Sequence, residues 1–336
     1  MTSHTGGRPG LALVTGATGY VGGLLVPELL ERGWSVRVLS RRRSAVRDQP
    51  WGDRVEVVEG DATDGQDVRA ALAGVEVAYY LMHSMDGAGD FVERDKAMAH
   101  TFAEAATSAG VGRIVYLSGL HPPGSLSPHL ASRVEVGRIL LESGVPTAVL
   151  QAGVVLGDGS ASFDMLRHLT ERLPAFVAPK WLRNRIQPIA AHDVVHYLAE
   201  AAGLDPRLNR TFDIGGPEVL TYAEMMRGYA RVTGLGRLFI ATLPVLTPGL
   251  ASHWVGLVTP VRSAIAKPLV GSLIHDAVCH EQDLAGLVPA PSGGPTSFED
   301  AIRRATRDID PMAWRRRLGQ AAGTVGAAAV VGSLLT

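Results

Sequence analysis

From Leu11 to Gln151, short apolar and β-branched runs alternate with longer stretches whose apolar positions recur every three to four residues. The short runs predict strands at Leu11–Thr15, Ser35–Leu39, Val55–Glu59, Val77–Leu81, Arg113–Ser118 and Thr147–Gln151. The longer ones predict helices over Val21–Glu31, Asp67–Ala73, Asp90–Ala109 and Pro128–Ser143. Strand and helix alternating at this spacing is the mark of βαβ units on a parallel sheet, and right-handed crossovers then wind helices onto both of its faces.

Beyond Gln151 the rhythm loosens. A helix is expected over Ser162–Arg172, a strand at Arg185–Ile189, a helix over Asp193–Ala202 and a strand at Thr211–Ile214. Thr221 followed by Glu224 has the Thr-x-x-Glu form of a capping box, so a helix should begin there. The whole reads as α/β: a doubly wound parallel sheet over residues 11–155, then a smaller lobe over 156–317 that returns in part to the sheet. Residues 1–10 read as a flexible leader and 318–336 as an apolar tail rich in Ala and Gly.

Composition narrows the class. Of the 336 residues 46% are apolar, and 32 Lys and Arg nearly balance 33 Asp and Glu, so no basic footprint for nucleic acid is present. Cys279 is the only cysteine; no internal disulfide can form, and a reducing, cytoplasmic setting is expected. Two apolar stretches bear on membranes. Leu238–Val261 is interrupted by Pro244, Pro248 and Pro260 and carries His253, which reads as a lid or lobe wall rather than a spanning helix. Leu318–Thr336, after Arg315-Arg316-Arg317, is marginal for a span and reads as a loosely ordered or docking tail, membrane contact being the alternative. Oligomeric state is left open.

The strongest chemical signal is Gly16-Ala17-Thr18-Gly19-Tyr20-Val21-Gly22, running from the first strand into a helix. Gly16 suits a tight turn, Gly19 admits a pyrophosphate to the backbone, and Gly22 allows close packing of helix on strand. The helix start adds free amides and a favourable dipole for phosphate. An NAD site usually presents an acid at the end of the second strand, to meet the ribose 2′-hydroxyl. Here stands Ser40-Arg41-Arg42-Arg43, whose guanidiniums suit a 2′-phosphate, so NADP(H) is favoured over NAD(H). A solvated basic turn is the plain alternative.

These residues resemble the extended and atypical short-chain dehydrogenase/reductases, including the NmrA-like and nucleoside-diphosphate-sugar epimerase-like groups, from Leu11 to about Tyr229. The resemblance implies that Gly60-Asp61-Ala62 meets the adenine and that Tyr80 to Ser84, with Leu81 and His83, faces the cofactor. It also implies that Ser118 holds the catalytic Ser or Thr position. Gln187-Pro188-Ile189 and His192-Asp193-Val194 resemble the stretch opening the substrate lobe, with Asp193 as a helix N-cap.

One departure stands out. Where the family places Tyr-x-x-x-Lys, this chain has His129-Leu130-Ala131-Ser132-Arg133. His129 and Arg133 share a helix face; the histidine is a candidate acid, and Arg133 could hold ribose without relaying a proton. His83 and His121 fall at strand C-terminal ends, the ligand side of open α/β sheets, and Tyr79, Tyr80 and Tyr116 are further hydroxyls in the region. No metal-ligand spacing appears. The expectation is an NADPH-dependent reductase of a small or medium organic carbonyl or activated double bond, with Ser118, His129 and Arg133 at its centre. The alternatives are a non-catalytic NADP-sensing regulator or assembly factor and, more weakly, a sugar-nucleotide epimerase or dehydratase.

Overall fold

The computed structural model describes residues 10–83, 91–122, 124, 126–173, 175–236, 238–243, 271 and 275–313. The leader up to residue 9, Ser84, most of the Leu238–Val261 stretch and everything from 314 onward lie outside the described residues.

Seven strands form the central sheet: β1 (Leu11–Thr15), β2 (Ser35–Ser40), β3 (Glu56–Glu59), β4 (Val77–Tyr80), β5 (Arg113–Gly119), β6 (Thr147–Ala152) and β11 (Arg210–Ile214). Their order is β11-β6-β5-β4-β1-β2-β3, and every pairing is parallel. β1, β4, β5 and β6 are almost wholly buried, as a sheet covered on both faces requires. On one face lie α1 (Tyr20–Glu31) and α7 (Ala191–Ala201), packing Leu25, Val26, Leu29, Val194 and Leu198 against β1 and β6. On the other lie α3 (Gly65–Leu72), α4 (Phe91–Ala109) and α5 (Pro128–Leu141), which bury Val68, Phe102 and Ile139 with Tyr80 and Tyr116. A short α2 (Arg43–Arg47) follows β2. The chain leaves β1 toward β2 and β3 on one side and toward β4, β5 and β6 on the other. That reversal opens a crevice at the C-terminal ends of β1 and β4.

The second lobe has its own core. Helices α6 (Ala161–Arg172) and α8 (Tyr222–Val232) pack together with the helix Phe298–Ala305 through Phe163, Met226, Tyr229, Phe298 and Ile302. Three two-stranded pairs complete it: β7 (Val155–Leu156) with β10 (Ile189–Ala190), β9 (Arg185–Ile186) with β12 (Leu220–Thr221), and β8 (Ala175–Pro179) with β13 (Phe239–Leu243). The capping box is present: Glu224 N–H donates to Thr221 Oγ1 at 3.2 Å, and Thr221 N–H to Glu224 Oε2 at 2.7 Å.

Three sequence expectations are corrected. The strand Arg185–Ile189 is two short strands, because Pro188 has no N–H to continue a ladder. α3 begins two residues earlier than read, where Asp64 caps the amides of Gln66 and Asp67. Asp193 is not the N-cap of α7, a position held by Ala190. Its buried carboxylate instead accepts from Thr296 N–H at 2.8 Å and Thr296 Oγ1 at 3.2 Å, tying the C-terminal segment to the sheet.

Candidate functional site

The glycine turn lies at the mouth of the crevice. Gly16 has φ +68°, and a Cβ there would sit 2.7 Å from the Leu81 carbonyl oxygen. Gly19 N–H donates to Gly16 O at 3.0 Å and closes the bend. A Cβ on Gly22 would lie 2.7 Å from Ala17 Cα, so only glycine lets α1 start this close to β1. Gly19 is the N-cap of α1, without a side-chain cap and with no acid in the first turn. Thr18 and Gly19 are exposed and Tyr20 and Val21 half-buried, so the first amides of the helix are left to an anion.

One support of this turn was not read from sequence. Thr15, fully buried, donates from Oγ1 to Tyr79 O at 2.9 Å and accepts from Leu81 N–H at 3.3 Å, locking the end of β1 to the end of β4. A threonine closing a strand just before a glycine was the available signal.

At the ends of β2 and β3 the exposed Arg41 and Arg42 make no side-chain hydrogen bond or ion pair among the described residues. Ser40 Oγ donates to Arg42 O at 3.1 Å and shapes their turn. Arg43 differs: it donates to Val57 O at 2.8 Å and lies 3.9 Å from Glu59. Asp61 accepts at Oδ1 from Thr63 N–H at 2.9 Å and Thr63 Oγ1 at 2.8 Å; these bonds, with Arg41 nearby, lower its pKa. Ala62 packs half-buried beside it. The cation pair and the acid therefore border one edge of the crevice.

On the other edge Ser118, 2% exposed, is the next-to-last residue of β5; its Oγ makes no hydrogen bond of ordinary geometry among the described residues, and the Tyr116 hydroxyl lies close to it. α5 begins under the Ser127 cap, whose hydroxyl accepts from Leu130 N–H, and presents His129 and Arg133 on the side facing β4 and β5. Arg133 donates to the Leu117 carbonyl and lies 6.0 Å from the centre of the Tyr116 ring. The His83 and His129 rings meet edge to face at 6.4 Å. Crowding and the Arg133 cation hold His129 down at about 4; His83, an exposed residue, donates to the Leu81 backbone. His129 is thereby held toward its neutral form, in which one ring nitrogen can still donate a hydrogen bond.

Of the three tyrosine hydroxyls, those of Tyr79 and Tyr80 are without a hydrogen-bond partner among the described residues. Tyr79 and Tyr80 are buried, and Tyr116 donates to Arg133 O at 3.2 Å; burial raises the pKa of all three. Behind α5, buried Asp95 accepts from Ser132 Oγ at 3.3 Å, an anchor that the sequence reading missed. Half-buried His121 stays against its own loop, with Nδ1 3.4 Å from Pro122 O. No cluster of three or more metal-binding side chains occurs among the described residues, and none of their helices is long and apolar enough to cross a membrane.

Residues 16–140 match a family model described as NAD(P)H-binding. A 3-beta-hydroxysteroid dehydrogenase of Mycolicibacterium neoaurum is 34% identical over 117 residues, 32% of this chain and 31% of that protein, so the match spans about a third of either. A ceramide reductase of Caulobacter vibrioides is 30% identical over 285 residues, 79% of this chain and 84% of that one. Among solved structures, the Citrobacter triphenylmethane reductase complexed with NADP(H) superposes with a TM-score of 0.69 at 19% identity, over 88% of this chain and 99% of that one. With its glycine turn, parallel sheet and free helix start, this chain belongs to the NAD(P)-binding Rossmann proteins of the atypical short-chain dehydrogenase/reductase group.

Proposed function

We propose that this protein is an NADPH-dependent reductase of a carbonyl or activated double bond in an apolar organic molecule. The observation that carries the reading is the buried, unbonded Ser118 hydroxyl at the end of β5, beside Arg133 and across the crevice from the glycine turn. A hydroxyl sealed from water without a partner costs about 1–3 kcal/mol, so a polar atom of a bound molecule is its natural complement.

The residues present suit the cofactor. The amides opening α1 would meet the pyrophosphate, Arg41 and Arg42 the 2′-phosphate, and Asp61 the adenine edge, which favours NADPH over NADH. When bound, the nicotinamide supplies the hydride. Ser118 donates a hydrogen bond to the substrate oxygen and neutral His129 can donate a second, and water supplies the proton that the reduced group takes up along with the hydride. Arg133 stabilises the negative charge that gathers on that oxygen as hydride arrives. The names of the relatives, one a ceramide reductase and one a steroid dehydrogenase, support a lipid-like substrate.

NADPH consumption against long-chain ketones, steroid enones and quinones tests the proposal, with Ser118→Ala as the control that should lower turnover about a hundredfold. If NADPH binds yet none of the panel is reduced, the reductase reading fails. The absence of a Tyr-Lys pair at His129 and Arg133 favours a second reading, a non-catalytic sensor of the NADP pool. A partner set that changes between NADPH and NADP in a pull-down would support it.

A further inference from the structure

α1 opens on Tyr20, directly after the Gly16–Gly19 bend, with no side-chain cap and no acid in its first turn. Its own sequence therefore does little to fix the end that would meet a phosphate. Support comes from the second lobe, in the turn Gly157-Asp158-Gly159 that leads from β7 into α6. A Cβ on Gly157 would run into the Tyr20 hydroxyl oxygen, far inside the 3.0 Å that Cβ atoms respect, and would stand 3.5 Å from the ring carbon Cζ. Gly159, at φ +82°, lies along the ring edge: a Cβ there would be 3.6 Å from Tyr20 Cε2 and 3.7 Å from Cδ2. Two glycines thus leave the seat in which one half-buried phenol ring rests.

The seat is firmly built. Ser160 N–H donates to Gly157 O at 3.0 Å and closes the turn, buried Ser160 Oγ donates to Val155 O at 2.8 Å, and Asp164 N–H donates to Ser160 O at 2.8 Å as α6 begins. Just before the turn, β7 is held in register by β10. Ala191, the first residue of α7, closes a further side, since a Cβ on Gly157 would also lie 2.9 Å from Ala191 Cβ. Tyr20 is the softer partner: its ring can give way only by turning about two side-chain torsions or by moving the α-carbon that starts α1. Burial and the nearby Asp158 and Asp164 push the Tyr20 phenol up to about 12, so it stays protonated and brings no charge to the phosphate end.

We infer that Gly157 is a positioning residue for the cofactor: its turn clamps the Tyr20 ring, sets where α1 begins, and couples NADPH binding to the placement of α6 in the second lobe. The coupling is reciprocal, so a phosphate held on the first amides of α1 steadies the turn as well. The inference rests on the NADPH site proposed above and is independent of which substrate is reduced.

The test is calorimetry with NADPH, and urea unfolding without it, on the full chain carrying Gly157→Ala, Tyr20→Phe or both. Gly157→Ala should weaken NADPH binding about tenfold, the worth of one misplaced charge-assisted hydrogen bond, and lower the urea midpoint. In the double variant the hydroxyl oxygen is gone and the nearest ring atom stands at ordinary contact distance, so affinity should return most of the way to that of Tyr20→Phe. Only the share owed to Ala191 persists. NADPH affinity equal in wild type and Gly157→Ala, or equal in Gly157→Ala and the double variant, would overturn the inference, because the contact would then be packing alone. A second measurement needs no change at Gly157. Saturating NADPH should slow amide hydrogen exchange over residues 157–164 of wild type, and Tyr20→Ala should lose that slowing while keeping it over residues 16–23. Exchange over 157–164 that NADPH leaves unchanged in wild type, or slowing there that survives Tyr20→Ala, would also overturn it. A folded wild type that binds no NADPH refutes the cofactor site itself, whereas normal wild-type binding with any of these contrary results refutes the clamp alone.

Discussion

Gly16 and Gly74 share nearly the same backbone conformation, φ +68° and +71°, but only Gly16 has neighbours where a Cβ would stand. In both, alanine pays for a left-handed conformation, roughly 1–2 kcal/mol. At Gly16 the new methyl would also lie 2.7 Å from the Leu81 carbonyl oxygen and 2.9 Å from its carbon, inside the 3.0 Å that Cβ atoms respect. The turn and the end of β4 must separate by at least about 0.3 Å. Overpacking of this kind costs a further ~1–3 kcal/mol. The same shift carries the amides of the bend off a bound pyrophosphate, and losing one charge-assisted hydrogen bond, about 1.5–3 kcal/mol, weakens binding roughly ten- to a hundredfold. Urea unfolding without cofactor should therefore find Gly16→Ala less stable than Gly74→Ala, and calorimetry should find weaker NADPH binding in Gly16→Ala alone. If the two variants agree in both measurements, the Gly16–Leu81 contact does not hold the phosphate turn.

Four other outcomes are expected. Ser118→Ala should leave stability unchanged or raise it by about 1 kcal/mol, because it removes an unbonded buried hydroxyl, while turnover falls about a hundredfold; urea unfolding and kinetics check both. Arg41→Ala with Arg42→Ala should weaken NADPH binding roughly ten- to a hundredfold and leave NADH binding unchanged, whereas equal loss for both nucleotides would place the arginines elsewhere. Asp193→Ala should cost roughly 1–3 kcal/mol in urea, because the Thr296 amide loses its acceptor while the Thr296 hydroxyl keeps His192 Nε2 at 2.7 Å. The fourth concerns pH. His129 titrates at about 4 folded and near 6.5 unfolded, so between those values the unfolded chain binds more protons and stability falls as pH drops from about 6.5 to about 4. His129→Gln should flatten that slope; an unchanged slope would mean that His129 is not held neutral.

The sheet was legible because its strands are short, apolar and evenly spaced, and six of its seven appear at the expected places, with Thr211–Ile214 as the seventh. The glycine turn was legible for the same local reason. What stayed hidden depends on contacts across the chain. Asp193 has the composition and near-helix place of a cap, yet its partner is Thr296, far away in sequence. Thr15 and Asp95 likewise act through Tyr79, Leu81 and Ser132 on other elements. His129 was a candidate acid because isolated histidine titrates near neutrality; the crowding around it and the closeness of Arg133, which lower its pKa, come from contacts that the sequence does not show. The two-residue strands around Pro188 carry too few positions to reveal a period.

The proposed NADPH site joins the Gly16–Gly22 bend to the Arg41–Arg42 pair. Its most direct test is calorimetric titration of the full chain with NADPH and with NADH. Saturable binding of one NADPH per chain is expected, with NADH bound about ten- to a hundredfold more weakly for want of the 2′-phosphate. A folded protein that takes up neither nucleotide, or holds NADH as tightly as NADPH, would contradict it.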